Sequence, residues 1–248
     1  ILRVDGHSRL KRGYIATAVQ ALLASGADNV GGVLETKPRQ VGAWAEAIAT
    51  AIQLPFGVGN SAFRTRLARR AWVDTVFGGC WRKSFLQGIG GFNERLARGQ
   101  DLELNQRIRA NGGRILLLPE LVCEYYPPGS LEAFIRHSYR NGEWAIRPIL
   151  HSDVFPVRAR HLAPLLATLG GLALAVVGFW LTWLPLMSVF GFYALAAACV
   201  SSRAAVSPAV RWRLPVVIAA LHASYGLGSL IALGRIACSR MKRAPRNA

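Results

Sequence analysis

The last 87 residues of this chain, Leu162 to Ala248, contain no aspartate and no glutamate. All 13 acidic residues lie between Asp5 and Asp153, so chemistry that needs a carboxylate is confined to the first part of the chain. Cysteine is scarce too: Cys80, Cys123, Cys199 and Cys238 stand alone, with neither metal-ligand nor disulfide-framework spacing. The chain opens on Ile1 without a methionine or a signal-type apolar stretch, so no targeting peptide is expected and the start reads as lying within a longer protein. Basic side chains are plentiful, 30 against 13 acids for a net charge of +17. They are scattered rather than striped and accompany no nucleic-acid module, so nucleic acid is not expected as a partner. An anionic cytoplasmic leaflet or phosphorylated substrates would use the same charge.

What is present is apolar. With 248 residues and 52% hydrophobic content, the chain can hold one sizeable soluble domain plus a membrane segment. Leu162 to Leu184 gives 23 uncharged residues, Leu186 to Val200 gives 15, and Leu214 to Leu233 gives 20 in which only His222 titrates near neutrality. A hydrocarbon core needs roughly 20 such residues, so at least two spans are expected, with Trp180, Trp183 and Trp212 near their ends. A turn at Trp183-Leu184-Pro185 makes the first two a hairpin that returns to the side of Arg203, Arg211 and Arg213. A third full span would leave the basic tail on the far side. Either Leu214 to Leu233 re-enters at Tyr225-Gly226-Leu227-Gly228, or the tail goes against the positive-inside bias. The expected division is a catalytic part over 1–130, an interfacial juxtamembrane segment over 131–161, membrane helices over 162–236 and a basic tail over 237–248.

Upstream, strand and helix patterns alternate, which predicts an α/β layer structure. Ile1 to Val4 reads as a buried strand stopping at Asp5-Gly6-His7, Tyr14 to Ser25 as a helix stopped by Gly26, and Asn29 to Glu35 as a strand. Ala43 to Leu54 is helical up to Pro55, and Phe56 to Ser61 is a flexible loop before the basic stretch Arg64 to Arg70. Val73 to Trp81 has strand character, Arg82 to Ile89 forms a short helix, and Asp101 to Asn111 a longer one. Arg114 to Pro119 is a strand broken by its proline.

Several residues could carry chemistry. Asp5 at a strand end can hold a hard divalent cation, and His7 can join it for a softer ion such as Mn²⁺; an Asx turn accounts for the same Asp-x-His equally simply. Asp101 opens a helix, where it either caps the N-terminus or, kept ionised there, serves as a base toward a hydroxyl. Glu103 and Arg107, spaced i and i+4, read as a surface pair. Leu131 to Phe155 mixes aromatic and basic residues, as an interfacial helix pair or a lipid-held basic segment does.

Taken in order, RVDGH, the Gly31-Gly32 strand, PFGVGNSAFR, VDTVFGGCWRKSF, IGGFNE, GQDLELNQR and YRNGEW resemble a family 2, GT-A-fold glycosyltransferase, most closely the succinoglycan-type exopolysaccharide branch. The resemblance covers about residues 1–160. It implies the C-terminal part of a GT-A domain followed by membrane helices, with the family's first βαβ units, which bind the nucleotide base, expected before Ile1. It implies an inverting transferase at a bacterial inner membrane, its catalytic part cytoplasmic, moving a sugar from a nucleotide-sugar donor to a saccharide or polyprenyl-linked saccharide. By the same resemblance Asp5 and His7 hold a divalent metal, Mg or Mn, and Asp101 is the base. Gly57, Gly59, Asn60, Gly79, Trp81, Gly91, Gln100, Arg140 and Trp144 are implied to bind substrate, the last two within the segment that stands where the Gln-x-x-Arg-Trp element sits. The chain departs from the family at His7, Asn93, Gln100 and Glu143, where the pattern has Asp, Asp, an acid and Arg. A polyprenyl-phosphate sugar synthase and a non-catalytic basic membrane anchor are the alternatives.

Overall fold

The computed structural model describes residues 1–6, 8–65, 69–150, 152 and 159–243, with side chains described to residue 238. His7 therefore lies outside the described residues. The chain forms a mixed α/β layer followed by long apolar helices, consistent with a GT-A-like domain carrying membrane helices.

Strand β5 (Ile115–Tyr125) is the spine of the sheet. It runs parallel to β2 (Asn29–Thr36), while β1 (Ser8–Leu10) and β3 (Ala71–Trp72) pair antiparallel with its other edge, and β4 (Phe77–Cys80) extends the sheet antiparallel beyond β2. Alternation along β5 explains why both faces are covered. Leu116 and Leu118 face one hydrophobic cluster, and Ile115 and Leu117 face another. The first cluster is closed by α1 (Tyr14–Ala24) and α2 (Ala43–Ala51), the second by α4 (Lys83–Gly88) and α5 (Gln100–Ala110).

Several strand boundaries differ from the sequence reading, and of the strand expected over Val73 to Trp81 only Phe77–Cys80 forms. The proline does not end β5: the pairing with β2 jumps from Gly31↔Leu117 to Val33↔Val122, so Pro119 and Glu120 sit in a bulge where a missing N–H is harmless. Gly32 faces this bulge, and a Cβ there would lie 1.7 Å from the Leu121 carbonyl oxygen. At the other end, Ile1 to Val4 is only half-buried and makes a single bridge, Leu2 to Cys80, because β4 is short where it meets the run.

Pro55 stops α2 as expected but also begins a short helix, α3 (Pro55–Val58), since its fixed φ suits a first helical position. After β5, α6 (Leu131–Ile146) is capped by Ser130, whose Oγ accepts from the Ala133 N–H, and ends in a 3₁₀ turn, Arg147–Leu150. Helices α7 (Ala159–Trp180) and α8 (Leu184–Ser202) form the expected hairpin, and after α9 (Pro208–Arg211) comes α10 (Leu214–Arg243). Three segments, Ala159–Trp180, Leu184–Ser202 and Pro208–Cys238, are long and apolar enough to cross a membrane.

These three are not equivalent. Within α7 and α8 only 11% and 17% of the apolar window is buried, against 39% for the third. The first turns of α10 belong to the domain core: Leu214, Val217 and Ile218 are fully buried with α2 and the sheet, each worth roughly 1.5–3 kcal/mol. Further along, α10 does not break at Tyr225-Gly226-Leu227-Gly228 but uses the glycines to lie close to its neighbours. A Cβ on Gly228 would come within 2.1 Å of the Tyr139 carbonyl oxygen, and one on Gly142 of α6 within 1.9 Å of the Tyr225 oxygen. Ser229 Oγ donates to the Gly142 oxygen across the same contact, at 3.0 Å. Near its far end Arg235 meets Glu143 of α6 at 2.8 Å. Substituting Gly228 by Ala is expected to cost about 1–3 kcal/mol, because backbone on the facing helix has to move. Gly171→Ala, where a Cβ meets nothing within 4 Å, is the control and should be neutral or slightly stabilising in thermal unfolding.

Candidate active site

Asp101 stands two residues after Gly99, which enters α5 with φ of 72° and is its N-cap. Asp101 is therefore not the cap. Its half-buried carboxylate bonds no other described group, and the first turn of α5 places it by unsatisfied N–H groups and the positive end of the helix dipole. It lies on the wall of a cavity of about 650 Å³ between the sheet domain and the apolar helices. The domain side is built by α3 with the turn after it, by Thr75, by Arg98, Gly99, Asp101 and Leu102, and by α6; the other side by residues of α7 between Arg160 and Ala167, Tyr193 of α8 and Leu221, His222 and Tyr225 of α10.

Cationic groups ring the polar part. Arg98 donates to Asn141 Oδ1 at 3.1 Å, Arg64 lies over the rings of Phe63 and Tyr125, and Arg160 pairs with Asp74 at 2.8 Å. Toward the helices the wall is aromatic: Phe56 packs on Tyr193 and His222, with the Tyr193 hydroxyl 2.8 Å from His222 Nδ1 and His222 Nε2 3.1 Å from the Gly57 oxygen. One membrane-type helix pair is thus bonded to the α3 turn that lines the cavity.

Of the residues proposed from sequence, Asp101, Gly57, Gly59 and Trp144 share this cavity. The others are placed elsewhere. Asn60 and Arg140 are exposed, and Gln100, beside Asp101, donates to the Leu96 oxygen at 2.6 Å. Trp81 is 1% exposed in the second core cluster with its ring edge against Phe92, and Gly79 lies beneath it, where a Cβ would meet the indole at 2.4 Å. Gly91 contributes a carbonyl to Arg107. Asp5 is held by Arg3, whose Nε and Nη2 are each 3.2 Å from Oδ1, and Arg3 in turn lies over Phe92. Among the described residues no group of three metal-ligating side chains gathers, at Asp5 or elsewhere.

Two features escaped the sequence reading. Glu103 and Arg107 are not a surface pair: the Glu103 side chain is 3% exposed, bonded to Arg107 at 2.8 Å, while Arg107 also donates to the oxygens of Ile89 and Gly91. The pair ties α5 to the Gly-Gly-Phe-Asn turn. Glu143, where the family pattern has Arg, is buried between Arg147 and Arg235. Nothing in the local pattern signals either, since i,i+4 spacing is the same on a buried and an exposed face. Burial also pushes the thiols of Cys80 and Cys123 above the usual cysteine range, offset in part at Cys80 by the N-terminal ammonium and reinforced at Cys123 by the carboxylates of Asp5 and Glu124.

These elements define a mixed α/β domain seated on three apolar helices, with a carboxylate unpaired among the described residues on a cavity at their junction. The chain is similar to the succinoglycan biosynthesis protein ExoA of Rhizobium meliloti (strain 1021), 26% identical over 195 residues that cover 73% of this chain and 56% of that protein. The match thus spans little more than half the length of the curated relative. No family model matches the chain. No solved structure matches it either.

Proposed function

We propose that the protein is a membrane-anchored inverting glycosyltransferase of exopolysaccharide or cell-envelope glycan synthesis, using a nucleotide-sugar donor and a polyprenyl-linked saccharide acceptor. The carrying observation is Asp101, a carboxylate without a bonding partner among the described residues, on a cavity whose wall passes into α7, α8 and α10. In this reading Asp101 takes the proton of the acceptor hydroxyl as that oxygen attacks the anomeric carbon, while the bond to the nucleoside diphosphate breaks on the opposite face. Arg64, Arg98 and Arg160 supply positive charge for phosphate groups, and the aromatic end toward α8 and α10 suits the isoprenoid next to them. The likeness to a succinoglycan biosynthesis protein supports the same class.

The divalent cation implied by the family resemblance finds a poor fit among the described residues, because Asp5 is already engaged by a guanidinium and no group of three ligating side chains gathers around it.

The test is product analysis with membranes containing the protein, a nucleotide-sugar and a polyprenyl diphosphate-linked hexose. An extended glycan on the lipid supports the reading. A lipid monophosphate sugar points instead to a polyprenyl-phosphate sugar synthase, and no product to a membrane anchor. The membrane arrangement proposed with it has α7 and α8 as the spanning hairpin and α10 held along α6, so the end of α10 stays on the domain's side. A charged maleimide should therefore label the exposed Cys238 in inside-out vesicles and not in right-side-out cells, and leave buried Cys80 and Cys123 unlabelled until unfolding. Labelling of Cys238 from outside the cell overturns that arrangement.

A further inference from the structure

A buried polar chain ends on the wall of the candidate active site. Asn29, Asn105 and Thr75 are 0%, 1% and 6% exposed and join β2, α5 and the turn before β4. Their hydrogen bonds have a direction that one backbone group determines. The Cys80 N–H can only donate, so the atom it meets at 3.2 Å is Asn29 Oδ1. Asn29 Nδ2 then donates to Asn105 Oδ1 at 2.7 Å, and Asn105 Nδ2 to Thr75 Oγ1 at 2.8 Å. Thr75 is thereby an acceptor within the chain, and its own proton is left to point out of it. Thr75 lines the cavity that holds Asp101. Asn105 follows Asp101 by one helical turn, about 6 Å along the axis, so the relay and the base are carried by the same helix.

A second hydroxyl on that wall shows the same surplus independently. Ser138 on α6 is 1% exposed and its Oγ has no hydrogen-bond partner among the described residues. Burying a hydroxyl without a partner costs free energy, and both groups are of the kind that bonds the hydroxyls of a sugar.

We propose that Thr75 and Ser138 form the saccharide subsite for the acceptor, Thr75 donating to a ring hydroxyl oxygen with its proton aimed by the Asn29–Asn105 relay, and Ser138 bonding a second hydroxyl. This rests on the glycosyltransferase reading above and assigns the sugar-recognising groups beside the base. No bond is made or broken by these residues; they bind and orient. Polarisation along the relay strengthens the last donor, because each bond enhances the next.

The experiment uses the full chain in detergent, with a decaprenyl diphosphate-linked hexose as acceptor probe. Thr75→Val removes the donor at constant shape and is expected to raise the acceptor KM about 10-fold, with the donor KM unchanged and Thr75→Ser restoring it to within about 3-fold. Thr75→Val also leaves Asn105 short of a partner, so Ser138→Ala serves as the variant without folding risk. It should leave the unfolding temperature equal or higher and still raise the acceptor KM several-fold. Equilibrium binding of the same probe, followed by the fluorescence of Trp144 at the cavity wall, separates this proposal from the catalytic one. If Thr75→Val and Ser138→Ala weaken binding while Asp101→Asn binds as wild type does, the subsite stands even where turnover is not seen. Wild-type binding and KM in both folded variants would overturn it, as would a wild-type protein that binds no saccharide probe.

Discussion

Asp101→Asn is expected to lower glycosyl transfer at least about 10²-fold, in the range by which positioned general bases contribute, with donor binding and folding retained. The substitution keeps the shape of the side chain and removes only its ability to take a proton. Because Gly99 is the N-cap of α5 and no described group bonds the Asp101 carboxylate, no capping bond is lost; the change in helix-dipole interaction is about 0.3–1 kcal/mol. A structural aspartate would behave in the opposite way, losing stability and keeping turnover. Measuring kcat beside the unfolding temperature separates the two. Turnover within a few-fold of wild type would remove Asp101 from the mechanism.

Arg107→Ala is the substitution expected to cost most in stability, about 3–5 kcal/mol, because it strands a buried carboxylate. Among the described residues Glu103 would keep only the Ser152 hydroxyl, 3.2 Å from Oε1, and the Ile89 and Gly91 carbonyls would lose their donor. Set against the 5–15 kcal/mol by which domains of this kind are stable, this is a large fraction. The double variant Glu103→Leu with Arg107→Leu should recover much of the loss, since it removes both charges together. Chemical denaturation of the two variants in detergent gives the comparison. A cost below about 1 kcal/mol for Arg107→Ala would return the pair to the surface-bridge class.

The alternation of apolar residues determined most of the secondary structure. Tyr14–Ala24, Asn29–Thr36 and Gln100–Ala110 form where period and punctuation place them, and the acid-free apolar runs after Leu162 became α7 and α8. Pro119 misled because its effect depends on what the neighbouring strand does: opposite Gly32 the sheet has room for a bulge, and no single-strand pattern shows that. Asp101 could be picked out from its motif, but whether it caps the helix or faces a cavity depends on Gly99 and on helices far away in sequence.

The sequence by itself therefore determined that the chain has an α/β part holding all its carboxylates and an apolar part that belongs with a membrane, because periodicity, charge and length are local properties. Only the tertiary structure decided the rest. It buried the Glu103–Arg107 pair, drew α10 along α6 through Gly142 and Gly228, moved Trp81 into the core, and brought Thr75, Ser138 and Asp101 onto one cavity. Each of these depends on which surfaces meet across long stretches of chain, and burial, close approach and the direction of a buried hydrogen bond exist only once they do.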